Sequence, residues 1–388
     1  MIIAILGRQP KIGLAELESL CGSDAVEPLG SLAAAVRVQV NPDHLGATLK
    51  IARPITELPF TDWQKIVNYC TTNLTDHLAH LPEGKLKIGL SSYGLPVEAN
   101  ALFRAGLEIK KACRDAKRSV RIVPSDGTAL NSASVLHNQL TGALGLELLF
   151  IKNGAKTWLA QTTWVQDVDA YARRDFDRPR RDAFVGMLPP KLAQTMLNFA
   201  RSQSGERILD PFCGTGVVLQ EAALRGCDVY GTDLNPRMVE YTQDNLRWLQ
   251  DVYNPHASRL ANVTTEVADA TNALWQSPID HIVCETYLGQ PLSGLPKPEK
   301  LSQIISDCDT IISKFLKNAR PQLVAGTTLC IAVPAWRTHG TFKRLPLLDR
   351  LEDLGYNRTR FKYASWDDLI YHRHDQIVAR ELLVLTVK

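Results

Sequence analysis

The sequence has 388 residues, of which 45% are hydrophobic and 22% are charged, and its net charge is +3. The length predicts two or three domains, and the charge is too small to indicate a nucleic-acid partner by itself. The apolar opening lacks the charged leader and cleavage site of a signal peptide, and no run of about 18 apolar residues predicts a membrane helix. The eight cysteines include no C-x-x-C pair, which argues against a zinc ribbon and a disulfide framework. We therefore expect a cytoplasmic protein with no membrane partner and no metal.

Residues 1–164 mix short strand-like runs with two helical stretches, Gly13–Leu20 and about Leu102–Arg118, without a strict βαβ rhythm. This mixture predicts a compact α+β region, or two small ones, packed on a mixed sheet. The predicted strands are Ile2–Leu6, Ala34–Val40, Lys87–Leu90, Val120–Val123, Leu146–Ile151 and Thr157–Thr162.

Residues 165–189 break this pattern. The stretch YARRDFDRPRRDAFVGMLPP holds five arginines, three aspartates and three prolines and shows no sustained apolar period, which is typical of a linker.

From residue 190 to the end, helices and strands alternate, which predicts an α/β fold with a parallel, doubly wound sheet. The last two strands would form an antiparallel hairpin, which is not how a plain dinucleotide-binding domain ends. The predicted helices are Pro190–Ser202, Val217–Arg225, Pro236–Leu249, Pro298–Asn318 and Phe342–Leu351, and the strands are Arg207–Leu209, Asp228–Gly231, Asn262–Val267, His281–Cys284, Thr327–Val333, Tyr356–Tyr363 and Gln376–Val387.

A ligand-binding turn is predicted in the segment Arg207–Gly216, where a strand ends in Asp210 and a glycine turn leads into a helix. Gly214 and Gly216 let the backbone pass close to a ligand, because a Cβ at these positions would obstruct it. The turn lacks the third glycine of the G-x-G-x-x-G phosphate-binding pattern, which argues against NAD.

Two further acids follow the next two strands. Asp233 is placed to accept both hydroxyls of a ribose, and Asp269 is placed to accept an adenine amine, with the amide of Ala270 beside the ring. Three strand-end acids around one glycine turn predict a nucleoside pocket without a pyrophosphate cradle. An alternative role for Asp233 is to cap the following helix, although Asn235 can do so, and Asp269 can be ordinary loop material.

The motifs DPFCGTG and GTDLNP resemble those of the THUMP-associated RNA methyltransferases, especially the tRNA guanosine-N2 methyltransferases of archaea and eukaryotes. The segment Tyr171–Ala200 and the N-terminal GLAELESL are similar to the same family. The resemblance implies a Rossmann-like class I methyltransferase domain at 190–388 that uses S-adenosylmethionine, after a ferredoxin-like and THUMP-like RNA-binding region at 1–164. It also implies tRNA as partner, and leaves open a small activator subunit or action as a monomer. The cofactor contacts that it implies are Asp210, Phe212, Gly214, Thr215, Gly216, Asp233, Leu234, Asp269 and Ala270.

The catalytic motif departs from the family pattern of Asp or Asn, Pro, Pro, aromatic, and reads CETYLGQP at 284–291. Glu285 keeps the carboxylate, Thr286 replaces the first proline, and Tyr287 stands one position early. Methylation of an exocyclic base amine needs an acceptor for the amine and an aromatic face for the base. We expect Glu285 and Tyr287 to supply them, with a loop loosened by the loss of the prolines. Alternatively, Glu285 is a loop acid and the site is slow, altered in substrate or inactive.

RNA contacts are predicted from two basic stretches. Residues 102–121 hold seven cations and two acids, and helical spacing places Lys110, Arg114, Lys117 and Arg121 near one face, where they can follow a phosphate backbone or merely be solvated. The linker arginines can bind phosphates or pair with neighbouring aspartates. His372 and His374 are too few for a metal site. The predicted RNA contacts are Lys110, Lys111, Arg114, Lys117, Arg118, Arg121, Arg173, Arg174, Arg178 and Arg180.

These features together predict methylation of the exocyclic N2 amine of a guanosine in tRNA. Two alternatives remain: a methyltransferase acting on an amine of DNA or protein, and a cofactor-binding RNA-binding protein without catalytic activity.

Overall fold

The computed structural model divides the chain into two compact units. The first comprises residues 1–43 and 47–171, and the second comprises 44–46 and 172–388. The structure describes residues 1–78, 81–182, 188–253, 262–292, 294–373 and 376–388. Part of the expected linker, 183–187, and His374 lie outside the described residues. The division into three segments at 164 and 190 stays a prediction.

The first unit contains one eight-stranded mixed sheet with the strand order β2-β3-β1-β4-β8-β7-β5-β6. Strand β5 pairs in parallel with β6 and β7, and the other pairs are antiparallel. All six predicted strands are present, whereas β2 and β4 were missed. The strands are β1 (Ile2–Leu6), β2 (Val26–Leu29), β3 (Ala33–Val36), β4 (Thr48–Leu58), β5 (Leu86–Tyr93), β6 (Val120–Ile122), β7 (Gly145–Asn153) and β8 (Lys156–Val165).

The helices of the first unit are α1 (Pro10–Cys21), α2 (Trp63–Leu78), α3 (Ala99–Asp115) and α4 (Ser132–His137). The sequence predicted α1 and α3 only. Helix α3 ends earlier than predicted, because Lys117 adopts a left-handed conformation with φ of 60° and the amide of Arg118 returns to the carbonyl of Cys113. The prediction of one basic face through Lys117 and Arg121 was therefore wrong, since Lys117 follows the helix and Arg121 lies on β6.

The predicted linker contains a helix, α5 (Val168–Phe176), so the prediction that this stretch lacks regular structure was wrong. Its inner positions are Tyr171 and Arg174, and Arg178 is buried just beyond its end. Because two of these three buried positions are arginines, the helix has no apolar period to recognise.

The second unit has a nine-stranded sheet in the order β11-β10-β9-β12-β13-β17-β15, with β14 paired to β13 and β16 paired to β17. Strands β9 to β13 run parallel, and β17 is antiparallel to β13 and β15. The predicted α/β fold with an antiparallel closing hairpin is confirmed. The strands are β9 (Arg207–Asp210), β10 (Asp228–Asp233), β11 (Val263–Val267), β12 (His281–Glu285), β13 (Thr328–Thr338), β14 (Thr341–Lys343), β15 (Tyr356–Arg358), β16 (Ile370–Tyr371) and β17 (Val378–Val387), and the helices are α6 (Pro190–Phe199), α7 (Val217–Leu224), α8 (Pro236–Tyr253) and α9 (Pro298–Ala319).

Two predicted elements near the end of the chain were wrong. The segment 342–351 is not an α-helix: it contains β14 and a short 3₁₀ turn, Pro346–Arg350. The turn is held by helix α9, since the amide of Leu347 donates to Asp309 Oδ1 at 2.6 Å. The strand predicted to run to residue 363 ends at Arg358.

Helix α9 packs its apolar face into the core of the second unit. Its residues Cys308, Ile312 and Phe315 are fully buried, and so are Ile282 on β12 and Leu329 on β13. The central strands read as nearly continuous apolar runs, as expected for parallel strands covered on both faces. The chain runs outward from β9 through β10 to β11 and then returns to β12, so the crevice at the carboxyl ends of β9 and β12 is the usual ligand position in such a sheet.

All eight cysteines are free, and only Cys21 is not buried. Across the described part of the chain, no helix combines the length and the apolar character needed to cross a membrane.

Candidate active site

The glycine turn after β9 is stabilised by a hydrogen bond from its own backbone to the side chain of Asp210. The amide of Phe212 donates to Asp210 Oδ1 at 3.1 Å, and Asp210 is only 2% exposed. Gly214 and Gly216 have φ of 52° and 82°, which a residue with a Cβ rarely adopts. A Cβ on Gly216 would also lie 2.9 Å from Thr242 Oγ1. Both predicted glycines are thus required by this turn.

Asp233, at the end of β10, holds the turn from the other side. Its Oδ2 accepts from the amide of Gly214 at 3.0 Å, and its Oδ1 accepts from the amide of Asn235 at 2.9 Å. The cap of α8 is supplied by Asn235, whose Oδ1 accepts from the amide of Arg237 at 3.1 Å. Asp233 is therefore not the helix cap. Beside it, Leu234 is 70% exposed, an apolar side chain open to solvent next to the proposed ribose position.

Asp269 follows β11 and stabilises a local turn. Its Oδ1 accepts from the amide and the hydroxyl of Thr271, at 2.9 and 2.8 Å. Its Oδ2 has no hydrogen-bond partner among the described residues. Ala270 is buried, and its carbonyl accepts from Asn318 Nδ2 at 3.1 Å. One oxygen of Asp269 therefore stabilises its own loop, and the other can still accept a hydrogen bond from a ligand.

Glu285, the last residue of β12, is ion-paired with Arg380 on β17. The side chains are 13% and 7% exposed. Strand β13 lies between them, and Glu285 is level with Ala332 on that strand. Sequence reasoning missed Arg380, which stands 95 positions away, because nothing local to either residue predicts that they meet.

The loop after Glu285 is anchored without prolines. The amide and the hydroxyl of Thr286 both donate to the carbonyl of Ala332 at 3.0 Å, and Thr286 is buried. The expectation that replacing the first proline loosens this position was therefore wrong at Thr286. Tyr287 follows with its side chain 40% exposed, as an aromatic face open to a ligand.

The carboxylates at this edge make the site strongly acidic. Burial raises the pKa of Asp210 well above its ordinary value, and the charges of Asp233 and Glu285 raise it further. Burial also raises the pKa of Asp233 and of Glu285, and for Glu285 the neighbouring Arg380 opposes this effect. Like charges in a low-dielectric site attract a cation and repel a diphosphate.

The predicted RNA contacts fall into two groups. Lys110, Lys111 and Arg114 are exposed on α3, and Lys117 and Arg121 are exposed beyond it. Arg118 is different, because its guanidinium donates to the carbonyls of residues 81 and 82.

Most of the linker arginines make contacts within their own unit. Arg174 is buried and pairs with Glu221 at 2.6 Å, and Arg178 is buried near Asp175. The prediction of phosphate contacts by Arg174 and Arg178 was therefore wrong, because their guanidinium groups do not reach solvent. Arg180 pairs with Asp244 at 2.7 Å but is half exposed, and Arg173 is exposed.

Comparison with known proteins assigns the second unit. Residues 178–307 match the model of the UPF0020 family, described as an RMKL-like methyltransferase domain. This segment of the second unit is similar to the methyltransferase domain of that family. This segment holds the glycine turn, Asp233, Asp269 and the motif that begins at Glu285.

Curated relatives support the resemblance to tRNA guanosine-N2 methyltransferases. The chain is 34% identical over 159 residues, 40% of its length, to the tRNA (guanine(10)-N2)-dimethyltransferase of Methanothermobacter thermautotrophicus, and 40% identical over 93 residues, 23% of its length, to that of Methanocaldococcus jannaschii. The chain spans 42% of the first relative and 26% of the second, less than half of either.

A solved structure supports the fold over the whole chain. The structure of TrmN from Thermus thermophilus aligns with 100% of this chain and 99% of its own, at a TM-score of 0.52 and 16% identity. At this identity the likeness concerns the fold alone. The ferredoxin-like and THUMP-like character of the first unit stays a prediction.

Proposed function

We propose that this protein is an S-adenosylmethionine-dependent tRNA methyltransferase that methylates the exocyclic N2 amine of a guanosine. The observation that carries the proposal is a group of three carboxyl groups around a left-handed glycine turn: Asp210 is buried, and Asp233 and Glu285 are partly buried. It lies in a methyltransferase domain at the crevice where a doubly wound sheet binds its ligand.

The residues of the turn fit the cofactor. Asp210 and the backbone of Gly214 and Gly216 would hold the cationic methionine part, since a positive charge relieves the repulsion among the buried acids. Asp233 would accept the ribose hydroxyls through the remaining lone pairs of its oxygens. Leu234 would pack against the adenine ring, and Asp269 Oδ2 would accept its amine. When bound, S-adenosylmethionine supplies an electrophilic methyl group on a sulfonium sulfur.

Glu285 would prepare the acceptor amine. Its carboxylate accepts a hydrogen bond from the N2 amine, orients the nitrogen lone pair towards the methyl group and takes up the proton that the nitrogen loses on methylation. Tyr287 would stack against the guanine with the ring face that is exposed to solvent in this structure. Thr286 fixes the backbone between these two side chains through its bonds to Ala332.

The first unit would hold the tRNA. Lys110, Lys111 and Arg114 form an exposed basic face on α3, and a phosphate backbone is a ligand of matching charge. Lys117, Arg121, Arg173 and Arg180 are exposed cations that would contribute more weakly. A cytoplasmic location is consistent with a tRNA substrate.

The proposal is tested by incubating the purified protein with methyl-labelled S-adenosylmethionine and unmodified tRNA, followed by nucleoside analysis. We expect N2-methylguanosine or N2,N2-dimethylguanosine. Matched incubations with DNA and with protein substrates serve as controls. Label on adenine, on DNA or on protein would contradict the assignment of the acceptor, and cofactor binding without transfer to any of them would indicate a non-catalytic protein.

A further inference from the structure

Arg380 is an unexpected residue at the edge of the sheet that carries the site. It lies on β17, two strands away from β12, and its side chain is only 7% exposed. Its Nε donates to Glu285 Oε1 across the intervening strand β13. A buried guanidinium at this position needs a physical reason, because removing an arginine from water is costly.

The neighbouring residue on β17 shows what a purely structural ion cluster looks like. Glu381 is fully buried and accepts from Arg344 at both oxygens and from Arg358 at Oε1, at 2.7 to 2.8 Å. Both of its oxygens are therefore occupied. Glu285 differs, since within the described residues only its Oε1 is held and its Oε2 makes no hydrogen bond.

We propose that Arg380 is the positioning residue of the site: it fixes the Glu285 carboxylate by one oxygen, so that the other oxygen is presented to the substrate amine. This inference rests on the proposed function, in which Glu285 accepts that amine. The guanidinium also opposes the rise that burial causes in the pKa of Glu285, which favours the ionised form that accepts an N–H bond. Arg380 itself does not touch the reacting atoms and adds no bond-making step.

The titratable groups that lie near Glu285 come from three elements. Arg380 faces it from β17, Asp210 from β9, and the thiol of Cys284 adjoins it on β12. Burial raises the pKa of Glu285 and so favours its protonation, whereas Arg380 opposes this effect. Loss of the Arg380 charge should therefore raise the pKa of Glu285, and activity should fall first at the acidic end of the pH range.

The test compares Arg380→Gln with Arg380→Lys and with a matched control, Arg358→Gln. The control removes a similarly buried arginine, 8% exposed, that also pairs with a buried glutamate, but with Glu381 rather than Glu285. The pKa of Glu285 is measured by NMR on protein with ¹³C-labelled glutamate carboxyl groups, with the signal assigned by Glu285→Gln. The pH profiles of kcat and KM are measured in parallel.

In Arg380→Gln we expect the pKa of Glu285 to rise by about one to three pH units. We expect kcat to fall about tenfold or more near neutral pH and to recover partly at higher pH, while the KM for the cofactor changes less than twofold. Arg380→Lys should restore part of both the pKa and the rate, and Arg358→Gln should leave both unchanged. An unchanged Glu285 pKa in Arg380→Gln, or a profile equal to that of Arg358→Gln, would overturn the inference.

A second measurement decides the matter if Arg380→Gln does not fold. In Glu285→Gln, which keeps the side-chain shape, the ¹⁵N–¹H signal of Arg380 Nε should move and that of Arg358 should stay in place. If the Arg380 signal does not move, the pairing is refuted. These NMR results do not depend on catalysis, so an inactive wild-type protein would contradict the proposed function and still leave the pairing of Arg380 with Glu285 decided.

Discussion

Glu147 in the first unit and Glu285 in the second are each paired with a cation, and the two sites differ in what is left free. In the first unit, Glu147 is fully buried and accepts from Lys50, from Ser91 Oγ at 2.5 Å and from Thr162 Oγ1 at 2.6 Å. The ammonium of Lys50 also donates to the carbonyl of Leu130 at 2.7 Å. In the second unit, Glu285 lies at the edge of the crevice, and among the described residues its carboxylate is held by Arg380 alone.

The difference distinguishes a network that only stabilises the fold from a carboxylate that can still bind a ligand. Glu147 has both oxygens engaged by three donors, so any change there should appear as lost stability. Glu285 has an oxygen that the described residues leave without a bond, which costs stability and is useful only if a ligand supplies the missing donor. Four substitutions test this contrast, beginning with the largest expected effect.

Replacement of the edge carboxylate should remove activity and leave the fold. In Glu285→Gln the amide oxygen still accepts from Arg380, but the charge that orients the substrate amine is lost. We expect kcat for methyl transfer to fall by about 10²- to 10⁴-fold, with the midpoint of urea unfolding nearly unchanged. A loss of less than tenfold would show that Glu285 is an ordinary loop acid.

Replacement of the buried lysine should have the opposite outcome. Lys50→Met leaves Glu147 charged and unpaired in the core, and we expect the free energy of unfolding of the first unit to fall by about 3–5 kcal/mol. The double variant with Glu147→Gln removes the unpaired charge and should regain part of the loss. Urea unfolding measures both, and kcat of the folded fraction should not change. A loss of kcat without loss of stability would contradict the purely structural role of the Lys50–Glu147 pair.

The pH dependence of cofactor binding should report Asp210. Its folded pKa lies above the unfolded value, so its contribution to stability is full at acid pH and is lost as the pH rises through the folded pKa. A bound cation favours the ionised form, and we therefore expect affinity for S-adenosylmethionine to increase as the pH rises through that same pKa. Calorimetry between about pH 5 and pH 8 measures this.

Asp210→Asn should abolish this pH dependence, weaken binding by about 1.5–3 kcal/mol and make the folded protein more stable at high pH. Asp280→Asn is the matched control, because Asp280 accepts from the amide of Arg207 at the opposite end of the same sheet. An equal pH dependence in Asp210→Asn and the wild type would exclude Asp210 as the source.

The smallest effect is expected on the exposed face of α3. Replacement of Lys110 and Lys111 by alanine should weaken tRNA binding and reduce the slope of log affinity against log salt concentration by about one for each lost phosphate contact. Lys65→Ala changes an exposed lysine on α2 and serves as the control. An unchanged slope in the double variant would mean that this face is merely solvated.

The sequence identified those parts of the site that are built from neighbours along the chain. The strand, turn and helix from Arg207 to Leu224 follow from an apolar run, a glycine pair and a helical pattern, each of which acts over a few residues. Asp233 was selected because it ends the next strand, and parallel strands bring such ends to one edge. The glycine turn and Asp233 lie within residues 178–307, which match the methyltransferase family model.

Sequence patterns failed where a residue type conflicts with its environment. Helix α5 was missed because arginines occupy its buried side, and the end of α3 was missed because Lys117 adopts a conformation more typical of glycine. Thr286 was expected to loosen a loop, yet its hydroxyl takes over an anchoring role from the proline. In each case a hydrogen bond or ion pair outweighs the local preference.

The sequence by itself determined the fold class of the second unit, the glycine turn and the acids that surround it, because these depend on short-range periodicity and on the common edge of parallel strands. Only the tertiary structure decided which charges meet. Arg380 reaches Glu285 over 95 positions, and Arg174 reaches Glu221 over 47, because the order of strands and helices in space, rather than along the chain, sets the partner of a buried charge.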